Sequence, residues 1–275
     1  MVIINRKVIY LITWIVLLIV PFYIVSCDDY FEYSPYAANV KSSYKNSHTH
    51  NFIKLYANTT PKDTVKFAVF ADPHYNYSDL SKAVNDVNKR PEIDFVIVNG
   101  DFADHGYLKE YELFYEKMEK LIVPYFTVIG NHDYRSNGGV IYKKMYGQPN
   151  KCFVYHDNFF ILFDDVFWES NKTPNMSWLE TQLKRAYAGT YKNIFVLCHI
   201  PPYGDQFTDE YEVLYREIML EYDVDLSIHG HIHRFEYGNY YSDEMLYLSV
   251  ESIMDKEYVI ITACDDEVKV EQIKF

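Results

Sequence analysis

Five short apolar runs each end in side chains that can bind a cation or move a proton. Phe67-Ala-Val-Phe-Ala leads into Asp72-Pro-His74, and Phe95-Val-Ile-Val-Asn-Gly leads into Asp101-Phe-Ala-Asp104-His105. Tyr125-Phe-Thr-Val-Ile-Gly leads into Asn131-His132-Asp133, Ile194-Phe-Val-Leu-Cys into His199-Ile-Pro-Pro, and Leu226-Ser-Ile into His229-Gly-His231-Ile-His233. Carboxylate and amide oxygen mixed with imidazole nitrogen suits Mn, Fe or Zn, and the absence of cysteine from the set argues against a soft-metal site. Seven such ligands are too many for one ion. They suit two ions about 3.5–4 Å apart, with one carboxylate bridging them. Cations so close need shared negative charge. A bridging Asp and a bridging hydroxide supply it, and the paired charge makes that water a nucleophile near neutral pH.

For these residues to meet, the apolar runs must be strands of common direction, because ligands of open α/β folds gather beyond the carboxyl ends of strands. Strand-length runs rich in Val, Ile and Phe recur at Val65–Phe70, Phe95–Val98, Tyr125–Ile129, Phe159–Phe163, Ile194–Leu197, Leu226–Ile228, Met245–Val250 and Tyr258–Ile261. Helix-like stretches lie between them at Leu80–Lys89, Tyr107–Ile122, Gly139–Tyr146, Ser177–Ala188 and Asp209–Glu221. In Tyr107–Ile122 the apolar side recurs at Leu108, Tyr111, Phe114, Met118 and Ile122, close to the helical period. Ser177 with Glu180 three residues on reads as a capping box. Strand–helix alternation predicts right-handed crossovers, with helices covering the sheets.

The ordered series D-x-H, G-D-x-x-D-H, G-N-H-D, a lone His after a strand and G-H-x-H resembles the calcineurin-like metallophosphoesterase superfamily, in its D-x-H branch. The resemblance spans Asp72 to His233 and implies a four-layer α/β/β/α sandwich of two mixed β-sheets flanked by helices. It implies that Asp72, His74 and His233 hold one metal, that Asn131, His199 and His231 hold a second, and that Asp101 bridges them. His132 is then the acid that protonates the leaving oxygen, and Asp104 the carboxylate that orients it. His105 occupies a position where some relatives carry a phosphate-gripping Arg. The implied cofactor is two divalent or trivalent metal ions (Mn, Fe or Zn), and the implied reaction is hydrolysis of phosphomonoesters or phosphodiesters. Relatives of the purple-acid type have Gly after the first Asp and a Tyr ligand to the first metal. This chain has Pro-His and no evident Tyr counterpart, which leaves the metal open.

Outside this set the ordinary structural readings hold. Asp133 reads as a turn residue, His229 as a structural histidine within a strand, and Pro201-Pro202-Tyr203 as a loop-shaping segment. The aromatic stretch Tyr134–Glu169 reads chiefly as core, and His48 and His50 as solvated loop histidines.

Residues 1–27 follow signal-peptide grammar, with Arg6 and Lys7 ahead of an apolar run from Val8 to Val25. Ile24-Val25-Ser26-Cys27 resembles a bacterial lipobox, which implies lipidation at Cys27 and a place in the cell envelope outside the cytoplasm. A plain membrane anchor is the other reading. Residues 28–63 are polar and read as a tether and edge segment, with a short strand at Phe52–Tyr56, followed by one domain over 64–275. Cys152, Cys198 and Cys264 offer no disulfide framework. The formal charge is −13, with 39 acidic against 26 basic residues. That balance argues against nucleic acid as partner, because backbone affinity comes from Lys and Arg. The expected partners are a small phosphoester or a lipid headgroup as substrate, and a membrane reached through the N-terminal lipid. A non-catalytic binding protein on the same scaffold is the reading of a different class.

Overall fold

The computed structural model describes residues 7, 10, 13–16, 34, 36–57, 60–264 and 267–275. The lipobox-like segment and Cys27 lie outside the described residues. By its internal contacts the chain divides into Met1–Ala37 and Ala38–Phe275. In the first unit, residues 7, 10 and 13–16 are helical. Among the described residues, no helix is long and apolar enough to cross a membrane.

The second unit is built on two mixed sheets. The first contains β1 (Thr64–Phe70), β2 (Phe95–Asn99), β3 (Tyr125–Val128), β10 (Glu257–Cys264) and β11 (Glu267–Lys274), in the order β11-β10-β1-β2-β3. β1, β2 and β3 run parallel, whereas β10 pairs antiparallel with both β1 and β11. The second contains β4 (Lys151–Tyr155), β5 (Asn158–Leu162), β6 (Asn193–Leu197), β7 (Leu226–His229), β8 (Glu236–Gly238) and β9 (Tyr247–Ser249), in the order β4-β5-β6-β7-β9-β8. There β5, β6, β7 and β9 are parallel, with β4 and β8 antiparallel at the edges.

The central strands are apolar because both faces are covered, whereas the edge strand β11 carries Glu267, Lys269, Glu271 and Lys274 and is largely exposed. Successive side chains of a strand point to opposite faces, and in β1 Phe67 and Val69 enter the core between the sheets while Ala68 and Phe70 face the helices. β5 does the same, with Phe160 and Leu162 inward and Phe159 and Ile161 outward. Phe67 meets Phe160 edge-on at 5.2 Å and Phe195 at 5.3 Å, which locks the two sheets face to face. Helices α2 (Tyr77–Val87), α3 (Leu108–Met118) and α5 (Gly138–Met145) cover the first sheet. Helices α6 (Met176–Tyr187) and α7 (Asp209–Glu221) cover the second. The result is the expected α/β/β/α sandwich.

Three local readings are corrected. Residues 47–57, inside the segment read as a tether, form helix α1 (Ser47–Ala57), so the strand expected at Phe52–Tyr56 is helical. Its buried face is mostly polar: Ser47 Oγ bonds Tyr125 Oη at 3.1 Å, and Asn51 Oδ1 accepts the Tyr125 N–H at 3.0 Å. His48 is buried rather than solvated, and its Nε2 accepts the Thr127 N–H at 2.9 Å. These bonds satisfy the exposed edge of β3. Lastly, α6 is capped by Asn175, whose Oδ1 accepts the Trp178 N–H at 3.0 Å, and Ser177 lies inside the helix.

Candidate metal centre

Asp72 and His74 follow β1, Asp101 follows β2, Asn131 and His132 begin the short α4 (Asn131–Tyr134) after β3, His199 follows β6, and His231 and His233 follow β7. One rim thus receives residues from both sheets. Asp72, His74, Asp101, His231 and His233 all have positive φ, between 46° and 69°. Non-glycine residues rarely occupy this region, and such conformations gather where the surroundings over-determine them. Two glycines allow the close approach. A Cβ on Gly100, at φ 90°, would sit 2.3 Å from His199 Nδ1, and one on Gly130 would sit 2.2 Å from Asp101 Oδ1.

Two triads result. Ligand atoms of Asp72, His74 and His233 all lie within 4.8 Å of one another, as do those of Asp101, His199 and His231. Asp72 joins them: its Oδ1 is 3.2 Å from His233 Nε2 and 3.9 Å from His199 Nε2, and its Oδ2 accepts the His231 N–H at 3.0 Å. Asp101 Oδ2 lies 3.2 Å from His199 Nε2, and its Oδ1 accepts the His132 N–H at 2.9 Å. His199 Nδ1 donates to the Asn99 carbonyl at 2.8 Å, which turns Nε2 toward the carboxylates.

Electrostatics show what the cluster demands. Burial opposes ionisation of Asp101, but His199, His132 and His74 outweigh it and hold the carboxyl below its usual range. Burial likewise disfavours a charged His199, yet Asp101 and Asp72 raise its pKa well above that of an ordinary imidazole. The pocket thus asks for positive charge beside two buried carboxylates. Among the described residues, Asp72 Oδ1, His74 Nδ1, Asn131 Oδ1 and His199 Nε2 are also buried without hydrogen-bond partners. Buried polar atoms are normally paired. Hard oxygen and borderline nitrogen atoms, orphaned together among carboxylates, fit divalent cations.

Asp104 departs from its expected role. Its Oδ1 is 2.8 Å from His74 Nδ1 but 4.0 Å from His132 Nδ1. His132 Nδ1 instead lies 3.0 Å from the Asp104 backbone carbonyl and 2.8 Å from Arg135 Nη1. His105 turns away and pairs with Glu110 at 3.2 Å, and Glu110 also accepts the Tyr107 and His105 N–H groups at the start of α3. Asp133 is more than a turn residue: it is fully buried and accepts N–H bonds from Gly130, Asp101 and Ala103 at 2.8, 2.9 and 2.8 Å. His229 bonds Ser227 within the core, and burial lowers its pKa to about 3.

Three residues near the centre carried no sequence signal. Asp165 accepts the Ile200 N–H at 2.9 Å and the His199 N–H at 3.3 Å, and burial raises its pKa to about 7. Glu169 Oε1 accepts from Asn131 Nδ2 at 3.0 Å. Arg135 stands against His132. None belongs to a recognisable motif. Beside His231 opens a cavity of about 500 Å³ lined by Tyr203, Asp205, Arg234 and Tyr240. Tyr203 and Tyr240 are stacked at 3.7 Å, and Tyr203 is anchored through its hydroxyl to Ser249 at 2.8 Å.

The family model for calcineurin-like phosphoesterases matches residues 65–235. Among curated proteins, the chain is 36% identical over 62 residues to a probable cyclic nucleotide phosphodiesterase of Xenorhabdus bovienii, covering 22% of this chain and 25% of that one. It is 40% identical over 68 residues to a probable glycerophosphodiester phosphodiesterase of Arcobacter nitrofigilis, covering 23% and 25%. The match thus spans about a quarter of the length of these curated relatives. A purple acid phosphatase from yellow lupin seeds superposes with a TM-score of 0.62 at 16% identity, over 78% of this chain and 52% of that one. A dimetal phosphatase from Danio rerio does so with a TM-score of 0.60 at 10% identity, over 76% and 97%.

Proposed function

This chain belongs to the calcineurin-like phosphoesterase family, and from that premise we propose that it is a metal-dependent phosphohydrolase acting on phosphomonoesters or phosphodiesters. The observation that carries the reading is the pair of triads with buried oxygens and nitrogen left unpartnered among carboxylates. Asp72, His74 and His233 would hold one cation, and Asn131, His199 and His231 a second, with Asp101 between them. Bound there, the cations would supply Lewis acidity toward a phosphoryl oxygen and lower the pKa of water.

The chain's own residues do the rest. His132 sits at the edge of both triads, its ring 4.9 Å from that of His74. With Nδ1–H donating to the Asp104 backbone carbonyl, Nε2 is the atom left to pass a proton to the departing oxygen. The cavity beside His231 is where the remainder of the substrate fits, with Arg234 for charge and the stacked Tyr203–Tyr240 pair as its wall. Relatives named for phosphodiester substrates support including diesters.

For its address we propose an exported protein tethered through Cys27, on the strength of the Ile-Val-Ser-Cys sequence after the apolar run. Mass spectrometry of the native protein checks this: an unmodified internal Cys27 would replace lipid with a plain anchor. The function is tested with detergent-solubilised full chain, stripped and reloaded with Mn, on aryl phosphate monoesters and diesters. Metal-restored turnover is expected. Full metal loading without turnover of either class would leave a binding protein on this scaffold.

A further inference from the structure

Asn131 is the one candidate ligand whose donor atom depends on which way a side-chain amide is turned. Its Oδ1 can ligate a cation, whereas its Nδ2 repels one. The structure assigns that choice to Glu169, and we propose that Glu169 is a positioning residue that holds Asn131 Oδ1 toward the second metal. The inference rests on the metal-centre reading above.

The amide's two ends have different fates. Nδ2 donates to Glu169 Oε1 at 3.0 Å, while Oδ1 is buried with no hydrogen-bond partner. Turning the amide over would set its oxygen against the Glu169 carboxylate, acceptor facing acceptor. It would also put two N–H donors where the buried Oδ1 now stands without a partner. Both effects oppose the flip, and both arise from a single carboxylate. Hydrogen bonds to a charged acceptor are the strong ones, so this grip outweighs one made by a neutral group.

Placement makes the contact more than a local convenience. Asn131 begins α4 after β3 of the first sheet. Glu169 lies 38 residues on, between β5 of the second sheet and α6. The bond therefore ties one sheet's ligand to the other sheet's loop. The second Glu169 oxygen, Oε2, is likewise buried without a partner, so among the described residues no competing donor draws it off.

Outer partners of metal ligands typically govern 10- to 100-fold in affinity. Glu169→Ala should therefore weaken binding of the second Mn by roughly that factor and leave the first Mn within about threefold. The readouts are calorimetric titration and metal analysis of the detergent-solubilised full chain, independent of activity. Glu169→Gln keeps an oxygen acceptor but loses the charge and can turn an N–H₂ toward Asn131, so its loss should fall between the parent and Glu169→Ala. Asn131→Asp sets two carboxylates face to face and should lose it. The double variant Asn131→Asp with Glu169→Gln restores a donor–acceptor pair, and should recover affinity beyond the sum of its parts. Unchanged second-metal binding in Glu169→Ala overturns the inference while the phosphohydrolase reading stands. A parent chain that binds fewer than two Mn overturns the metal-centre reading itself.

Discussion

The Asp104 carboxylate lies 2.8 Å from His74 Nδ1 and 4.0 Å from His132 Nδ1, so it stands against a candidate ligand and leaves the candidate acid to the backbone. A carboxylate on one ring nitrogen fixes the tautomer and raises the basicity of the other. Asp104→Ala should therefore cost first-site metal affinity roughly 10- to 100-fold. It should not alter how turnover depends on leaving-group pKa. Titration with Mn checks the first point, and a series of aryl phosphates the second. Intact metal binding with a steepened leaving-group dependence would return Asp104 to the service of His132.

His132 separates chemistry from metal binding. Its ring is half-buried at the rim, its backbone N–H is held by Asp101, and its Nδ1 is engaged. His132→Ala should spare metal content and folding and cut turnover by roughly two to four decades. The loss should shrink for nitrophenolate, which departs without a proton, and be largest for alkyl leaving groups. Loss of a metal in this variant would make His132 a ligand.

Asp164 gives a pH signature of its own. Burial raises its pKa to about 6, against lowering contributions from the Tyr134 hydroxyl, the Val166 N–H, Lys172 and Lys143. A carboxyl whose folded pKa exceeds its unfolded value binds more protons when folded. Its stabilising contribution is thus full at low pH and is lost as pH rises from about 4 through about 6. Asp164→Asn removes that titration. Between pH 4 and 7 the stability of the variant should rise relative to the parent by on the order of 2–3 kcal/mol. Denaturant unfolding at several pH values checks it, and a constant difference between the two chains would sink it.

The central strands were legible because burial on both faces made them apolar runs, and the rim because five of those runs lead into ligand-type residues; the edge strands β4, β8 and β11, partly polar and exposed, were not. Helix α1 was not, because the residues it buries include Ser47, His48 and Asn51, which pair with β3 and leave Leu55 as its apolar anchor. Polar burial of that kind looks like a solvated segment until its partners are known. Glu169 and Asp165 were hidden for a related reason: they act on Asn131 and His199 across 38 and 34 residues, from a loop with no periodicity. The role of Asp104 went to a different histidine because spacing shows which residues share a loop, not which ring nitrogen a carboxylate faces.

Asp133 is the clearest case of a residue whose value is structural and whose loss would look catalytic. Its carboxylate accepts the N–H groups of Gly130, Asp101 and Ala103, so it binds the turn after β3 to the turn after β2. Those turns carry Asn131, His132 and Asp101. Removing the side chain strands three backbone donors in a fully buried place, each costing about 1–3 kcal/mol when left unpaired. Asp133→Ala should therefore destabilise the fold by roughly 3–5 kcal/mol, near the top of the range for a single change. Asp133→Asn keeps one acceptor but turns an N–H₂ toward backbone donors, so it should recover only part of that loss. Metal affinity should fall with stability in both variants, because the ligands on these two turns of the first sheet lose their register together. Denaturant unfolding of the parent and the two variants measures the ordering. A cost below about 1 kcal/mol for Asp133→Ala would mean that water reaches these amides, and that the turns are held by the metal ligands rather than by Asp133.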